Sequence, residues 1–515
     1  MKKIFIYLVS ILLIWATNSC TKDFEEMNTR KDAVTEVNPA YFFSGMQQQV
    51  FANYQRNVNL YPDIYSQYFA NIIGGSSNYG YVDGWIGNQF KEHYTEFLRK
   101  SYNINETWAD EPTYSELLAI NEIFTCYWWS RMTDTYGDIP YFDASRGESA
   151  AYDSQSSIYA DLLTRLEAAV NNITGAEDQL SYGDEYDLIY RGDAQKWRRF
   201  GNSLRLRLAM RISNVDPTTA QSVAAAAISS GVMTSNDDVA KVPMSANGWY
   251  DYLHQMLWNW DNERVSKTFT DYLYSESSAG EDPRAPLWLT YKRDGESVSK
   301  EDIGLTEYVG LENGYNENMP SDRNDRATIN LVGSYEDFSG EGDVQMYCPV
   351  MFYSEVLFLQ AEATLRGWVS GDANALYKSG IQASMDYVGV DATNAQNYID
   401  GVANLTGSNE AQLKSIITQK WIANFPNGVE AWADFRRTDY PDLTLPIDGI
   451  SSNATVAAGT YVKRIRYPDN QHNLNQENMP QALNSLDKDR MDFKLWWDVK
   501  GTELKGTNGL MDSNF

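Results

Sequence analysis

The chain runs to 515 residues, 43% hydrophobic and 22% charged, a balance that supports a sizeable core and excludes a disordered chain. Its 70 acidic against 42 basic residues give a formal net charge of −28, which repels a phosphate backbone and excludes nucleic acid as a partner. Three cysteines (Cys20, Cys126, Cys348) and three scattered histidines (His93, His254, His472) form neither a disulfide framework nor the spacing of a metal site, so no metal and no cofactor is expected. Cys126 and Cys348 read as buried thiols.

At the start, Lys2-Lys3, an apolar run from Ile4 to Ala16 and small residues to Ser19 have the order of an export signal, and the run is too short to span a bilayer. Cys20 stands where such a segment is cut, so residues 1–19 are expected as a lipoprotein signal peptide and Cys20 as the lipidated residue. Two or three acyl chains anchor firmly where one does not. Residues 20–37 then read as a polar, acidic tether, and residues 38–515 as one helical domain. Loss of Lys2 and Lys3 leaves 40 basic residues against 70 acidic, or about −30 for the mature chain.

From Asn38 to about Phe69 the sequence is helix-compatible and aromatic-rich, and it gives way at Gly74-Gly75-Ser76-Ser77-Asn78 to a loop bearing Tyr79, Tyr81 and Trp85. Pro112 precedes a helix whose Leu117, Ile120, Ile123, Phe124, Tyr127 and Trp128 keep a three-four spacing to about Met132, before TDTYGDIPYFDA. Asp153 or Ser154 is placed to cap the next helix, striped by Ile158, Leu162, Leu166 and Val170.

Lys196–Ser213, KWRRFGNSLRLRLAMRIS, is the clearest amphipathic helix. Trp197, Phe200, Leu204, Leu208 and Ile212 lie on one side and five arginines elsewhere. In so acidic a chain these arginines are expected to pair with carboxylates of neighbouring helices rather than form a basic docking patch. TTAQSVAAAAISSG after Pro217 is a return helix ending at Gly231. Residues 232–349 lose regularity and read as a large insertion carrying Trp249, Tyr250, Trp258 and Trp260. Helical pattern resumes over Met351–Trp368, turns at Gly367–Asp372 and returns over Ala373–Val388.

Lys414–Pro441 then places Ile416, Lys420 with Trp421, Phe425, Val429, Trp432 and Phe435 at helical spacing in two runs parted by Pro426-Asn427-Gly428. Its rings must pack inward, with Arg436 and Arg437 reaching carboxylates or helix ends. The tail from Leu443 is expected to be mostly irregular, with a strand at Tyr461–Tyr467.

One unit therefore recurs about four times, a helix pair joined by a turn: 113–132 with 154–172, 196–213 with 217–230, 351–367 with 373–388, and 410–425 with 428–437. AEATLRGWVSGDANALYKSGI resembles a tetratricopeptide repeat. Stacked pairs bury a continuous core and leave insertions to build a binding face.

The signal with Cys20, MTDTYGDIPY, KWRRFGNSLRLRLAMRIS, FYSEVLFLQAEATLRGW and ITQKWIANFPNGVEAWADFRRTDYP followed by Arg464–Pro468 together resemble the SusD/RagB family of nutrient-binding outer-membrane lipoproteins, over nearly the whole chain. The resemblance implies a mostly α-helical SusD-like fold with four tetratricopeptide-like helix pairs and no catalysis. It also implies display on the outer membrane and partnership with a SusC-like TonB-dependent transporter. Asp23, Glu25 and Glu26 resemble the acidic surface-export signal of family members. It carries over no ligand-contacting residue, because those lie in variable loops.

From residue chemistry, sugar rings stack on aromatic faces while their hydroxyls bond Asn, Asp, Gln and Arg. Tyr79, Tyr81 and Trp85 with Asn78 and Asp83, and Trp249, Tyr250, Trp258 and Trp260 with Asn259, Asp261 and Asn262, are the candidates for an oligosaccharide. The bland alternative is aromatics that pin irregular segments to the helices. A peptide ligand, as for RagB-like relatives, and a glycoside hydrolase using two carboxylates are the competing functions. The Asp-Asn-Asp grouping at Ser321–Asp325 reads as a solvated turn rather than a calcium loop.

Overall fold

The computed structural model describes residues 38–52, 57–58, 60–72, 79–144, 149–176, 179–244, 257, 260–314, 323–329, 346–446, 455–457 and 460–499. The chain divides into Met1–Tyr41 and Phe42–Phe515. The expected signal, Cys20 and tether lie outside the described residues. None of the helices among the described residues is long and apolar enough to cross a membrane.

Helix α1 spans Ala40–Gln48, and the aromatic stretch after it folds as a single turn at Pro62–Tyr65 and strand β1, Phe69–Asn71, rather than as continued helix. The glycine-rich segment is followed at once by helix, α2 (Asp83–Glu92), a wide π turn at His93–Phe97 and α3 (Leu98–Trp108). Sequence periodicity missed this helix because Gly84 and Gly87 occupy its first turns.

The four expected pairs are present: α4 (Ser115–Tyr136) with α5 (Gln155–Asn172), α6 (Ala194–Arg211) with α7 (Pro217–Ser230), α9 (Tyr353–Leu365) with α10 (Ala373–Val388), and α12 (Asn409–Ala423) with α13 (Gly428–Thr438). Between them come α8 (Lys267–Ser275) and α11 (Ala392–Gly401), and α14 (Asp469–Leu474) follows. Side-chain caps set the starts: Ser154, Asp193, Asp216, Asp372 and Ser408 each accept a bond from the backbone N–H three residues on. Asp153, the other capping candidate, instead accepts from the N–H groups of Tyr141 and Phe142. Helix α4 runs one turn past its expected end, through Thr133-Asp134-Thr135-Tyr136, and stops at Gly137, whose φ of 89° suits glycine.

The pairs approach closely. A Cβ on Gly201 of α6 would stand 2.5 Å from Val170 and 2.9 Å from Ile123, so glycine there lets α6 lie against both α4 and α5. Gly380 of α10 does the same against the ring of Phe358. Around that contact Ala361, Tyr377, Ile381, Met385, Tyr398 and Ile416 form one buried cluster joining α9, α10, α11 and α12.

Residues 232–349, expected as a long irregular insertion, carry short strands: β2 (Ala240–Met244), β3 (Glu263–Val265), β4 (Leu289–Arg293), β5 (Glu296–Val298), β6 (Thr328–Ile329) and the start of β7 (Met346–Met351). β1 pairs with β3, β2 with β7, and β4 with both β5 and β6, all antiparallel. Such short ladders are too small to show a hydrophobic alternation in sequence. The expected strand at Tyr461–Tyr467 has no ladder: the N–H groups of Lys463 and Arg464 both donate to the carbonyl of Met491, and that of Ile465 to Thr135.

Candidate functional site

The hairpin of α12 and α13 fixes an interior lined with charge. Arg207 of α6 grips Glu355 with two bonds of 2.7 and 2.8 Å, Arg211 reaches Glu430 at 2.6 Å, and Lys420 reaches Asp434 at 2.6 Å and Glu430 at 3.2 Å. Arg437 holds Glu362 with two bonds of 2.7 Å. Four of the five arginines of KWRRFGNSLRLRLAMRIS thus pair with carboxylates as expected, Arg199 and Arg205 taking Asp238 and Glu167. Burial alone would raise the Glu362 carboxyl, but Arg437 and Arg366 hold it at about 2. Burial likewise opposes ionisation of Glu430, yet Arg211, Arg207 and Lys420 hold it far below the usual range.

Arg436 is bound differently. Its guanidinium stacks 3.5 Å above Trp432 and donates to the carbonyls of Asp134, Trp432 and Lys463. Asp134 in turn accepts from Tyr159 and from the indole N–H of Trp497 at 2.8 Å, which ties MTDTYGDIPY to the C-terminal segment. The space lined by Arg207, Arg211, Asp134 and Glu430 measures about 20 Å³, room for one water-sized group. These shifted carboxylates lock helix pairs together, and no substrate fits among them.

The aromatic candidates are organised by the β1–β3 ladder. Asn71 faces Glu263 in register, and the next rung carries Ile72 N–H to the carbonyl of Asn262 at 2.9 Å. The segment bearing Tyr79, Tyr81 and Trp85 leaves β1 at this end, and the segment bearing Trp249, Tyr250, Trp258 and Trp260 enters β3 at the same end. Sequence reasoning named both stretches without a reason to join them; the antiparallel register supplies it. Under the ladder end Glu263 is fully buried, and burial, then the charge of Asp63, pushes its carboxyl well up.

The individual side chains divide. Tyr79 is buried, at φ 66°, with its ring against Tyr65 and Tyr461 and its hydroxyl 3.0 Å from that of Tyr461 and 3.3 Å from Gln67 Nε2. Burial pushes that hydroxyl up to about 12. Tyr81 is buried too, donating to Asp83 at 2.9 Å beneath the guanidinium of Arg466, 4.0 Å from the ring. The expectation that these two rings stack on a sugar is thereby corrected: Tyr65 and Tyr461 cover the ring of Tyr79, and Arg466 covers that of Tyr81. Trp85 is half-buried in the first turn of α2.

Trp260 is 45% exposed, three residues after the buried Leu257 that anchors its segment. Asp261, at φ 57°, pairs beside it with Arg264 at 2.9 Å and Lys292 at 3.5 Å, a polar edge next to an open indole. Trp249, Tyr250 and Trp258 lie outside the described residues, as do Asn78, Asn259 and Ser321.

Of the histidines, His93 is buried among Tyr94, Phe97 and Trp129 and pushed down to about 3 by burial, while His472 pairs with Asp489 at 3.0 Å. Cys126 and Cys348 are buried thiols, as expected. Among the described residues no three His, Cys, Asp or Glu side chains are grouped as metal ligands.

Residues 31–468 match the family model described as "Starch-binding associating with outer membrane". Among solved structures, a chitin-binding SusD homologue from Flavobacterium johnsoniae superposes with TM-score 0.74 at 28% identity, over 90% of this chain and 98% of its own. A SusD homologue from Bacteroides ovatus gives 0.74 at 26%, over 90% and 99%, and one from Bacteroides vulgatus 0.73 at 25%, over 89% and 97%. A search of curated proteins returned no match. With its mostly α-helical fold of stacked helix pairs and a family match over most of its length, the chain belongs to the SusD-like family.

Proposed function

We propose that this protein is a surface lipoprotein that binds an oligosaccharide without cleaving it and passes it to a SusC-like TonB-dependent transporter in the outer membrane. The observation that carries the reading is the common root of the two aromatic stretches at one end of the β1–β3 ladder, with Trp260 open beside the Asp261–Lys292 edge. An exposed indole next to charged hydrogen-bonding groups offers the apolar face and polar rim that a pyranose needs. Trp85 and the residues Trp249, Tyr250 and Trp258 complete the proposed face. Lipid on Cys20, after removal of residues 1–19, would hold the chain at the membrane. The family's description and the chitin-binding relative support a glycan as the ligand class.

The test is a glycan and peptide array probed with the protein, with product analysis of every hit after long incubation. Binding of intact glycans supports the proposal; peptide hits alone point to a RagB-like role, and shortened products to a hydrolase.

A further inference from the structure

A second cleft lies where the helical run of α2 and α3 is widened by the π turn at His93–Phe97. Gly87, Phe90, Lys91 and Tyr94 fall on one helical face, with Thr95 beside them, and form one wall. Pro468, Asn470 and Gln471 at the start of α14 form the second, and Pro140 and Ala144 after α4 the third. Tyr94 donates to the carbonyl of Pro140 at 2.8 Å, which fixes the first wall to the third, and Tyr152 steadies the second by donating to Gln471 Oε1 at 3.0 Å. Glycine at 87 lets α14 close in, since a Cβ there would stand 3.2 Å from that of Pro468.

The cleft holds about 230 Å³, below the roughly 300 Å³ at which drug-sized sites begin, so it takes one ring and not a chain. Phe90, Tyr94, Pro140 and Pro468 give it an apolar wall. Its rim carries Thr95, Asn470 and Gln471, and with Gln471 Oε1 engaged that side chain has its amide N–H donors left to offer. Among the described residues Lys91 is the one charged residue lining it, exposed, so in a chain of net charge −28 the described walls of this cleft present a cation and no carboxylate.

We infer that this cleft binds a single six-membered sugar ring bearing a carboxylate, the chemistry of a uronate. The C–H face of the ring lies on the apolar wall, the hydroxyls meet Thr95, Asn470 and Gln471, and the carboxylate meets the Lys91 ammonium. A plain aromatic acid would use the wall and the lysine but leave the amides unmatched. The inference does not rest on the aromatic face at the β1–β3 ladder.

The experiment is saturation-transfer NMR of the purified protein with D-glucuronate and, separately, D-glucose. It is repeated on Lys91→Gln and on Thr95→Trp, which sets an indole into the cleft from an exposed helical position. Glucuronate is expected to receive saturation and glucose much less. Lys91→Gln is expected to weaken glucuronate about fivefold, the upper scale of one exposed ion pair, and Thr95→Trp to abolish its signal. Equal transfer to both sugars, no transfer to glucuronate, or a glucuronate signal that survives Thr95→Trp would overturn the inference.

Discussion

The helix-pair interior and the β1–β3 ladder end are both crowded with aromatics, and they use them in opposite ways. In the interior, Trp421, Trp432 and Trp497 are buried with their indole N–H groups donating to Ser66, Val462 and Asp134, and their faces serve protein partners such as Arg436 and Tyr68. At the ladder end Trp260 keeps nearly half its surface open. A ring belongs to the scaffold when its faces and its polar atom are already taken. It is available to a ligand when they are not.

Breaking the interior should cost stability first. Arg437→Ala leaves the fully buried Glu362 with Arg366 as its remaining cation and is expected to lower unfolding free energy by about 3 kcal/mol in chemical denaturation, with glycan affinity of the folded fraction kept. A loss under 1 kcal/mol would show that this pair does not tie α9 to α13. The same pair sets a pH dependence. With Glu362 held at about 2 against 4.5 for an ordinary glutamate, its contribution is present in full above about pH 4.5 and lost as pH falls toward 2. Denaturation midpoints across that window should register roughly 3 kcal/mol from this group, and Glu362→Gln should flatten that part of the curve.

Gly428→Ala is expected to cost about 2 kcal/mol, since its Cβ would fall 2.1 Å from Asp63 Oδ1, which accepts the Gly428 N–H. At the ladder end the readouts exchange places. Tyr79→Phe should lower stability by about 1 kcal/mol, the worth of its hydrogen bonds, and leave glycan binding untouched. A Tyr79→Phe variant that loses ligand while melting normally would return that ring to the binding face.

The scaffold was legible in sequence because each helix pair carries its own periodicity and cap. Ile158, Leu162, Leu166 and Val170 announce α5 without help from any other segment, and all four are buried. The charge pairing of Arg207 and Arg211 followed from composition, but their partners Glu355 and Glu430 lie 148 and 219 residues away, a distance no local pattern spans. The helix α2 was hidden by its glycines, one of which, Gly87, is needed for the approach of Pro468. At the candidate site, residue type pointed to Tyr79 and Trp260 alike. What separates them is burial of Tyr79 against distant partners, Tyr461 above all, which sequence does not record locally.

The most direct measurement is the glycan array run in parallel on the wild-type protein and on Trp260→Ala, with melting temperatures taken from the same samples. The account predicts that the glycans bound by the wild type are held about tenfold more weakly by the variant, the scale of one lost stacking face, at an unchanged melting temperature. Unchanged binding by Trp260→Ala would contradict the placement of the ligand at the end of the β1–β3 ladder.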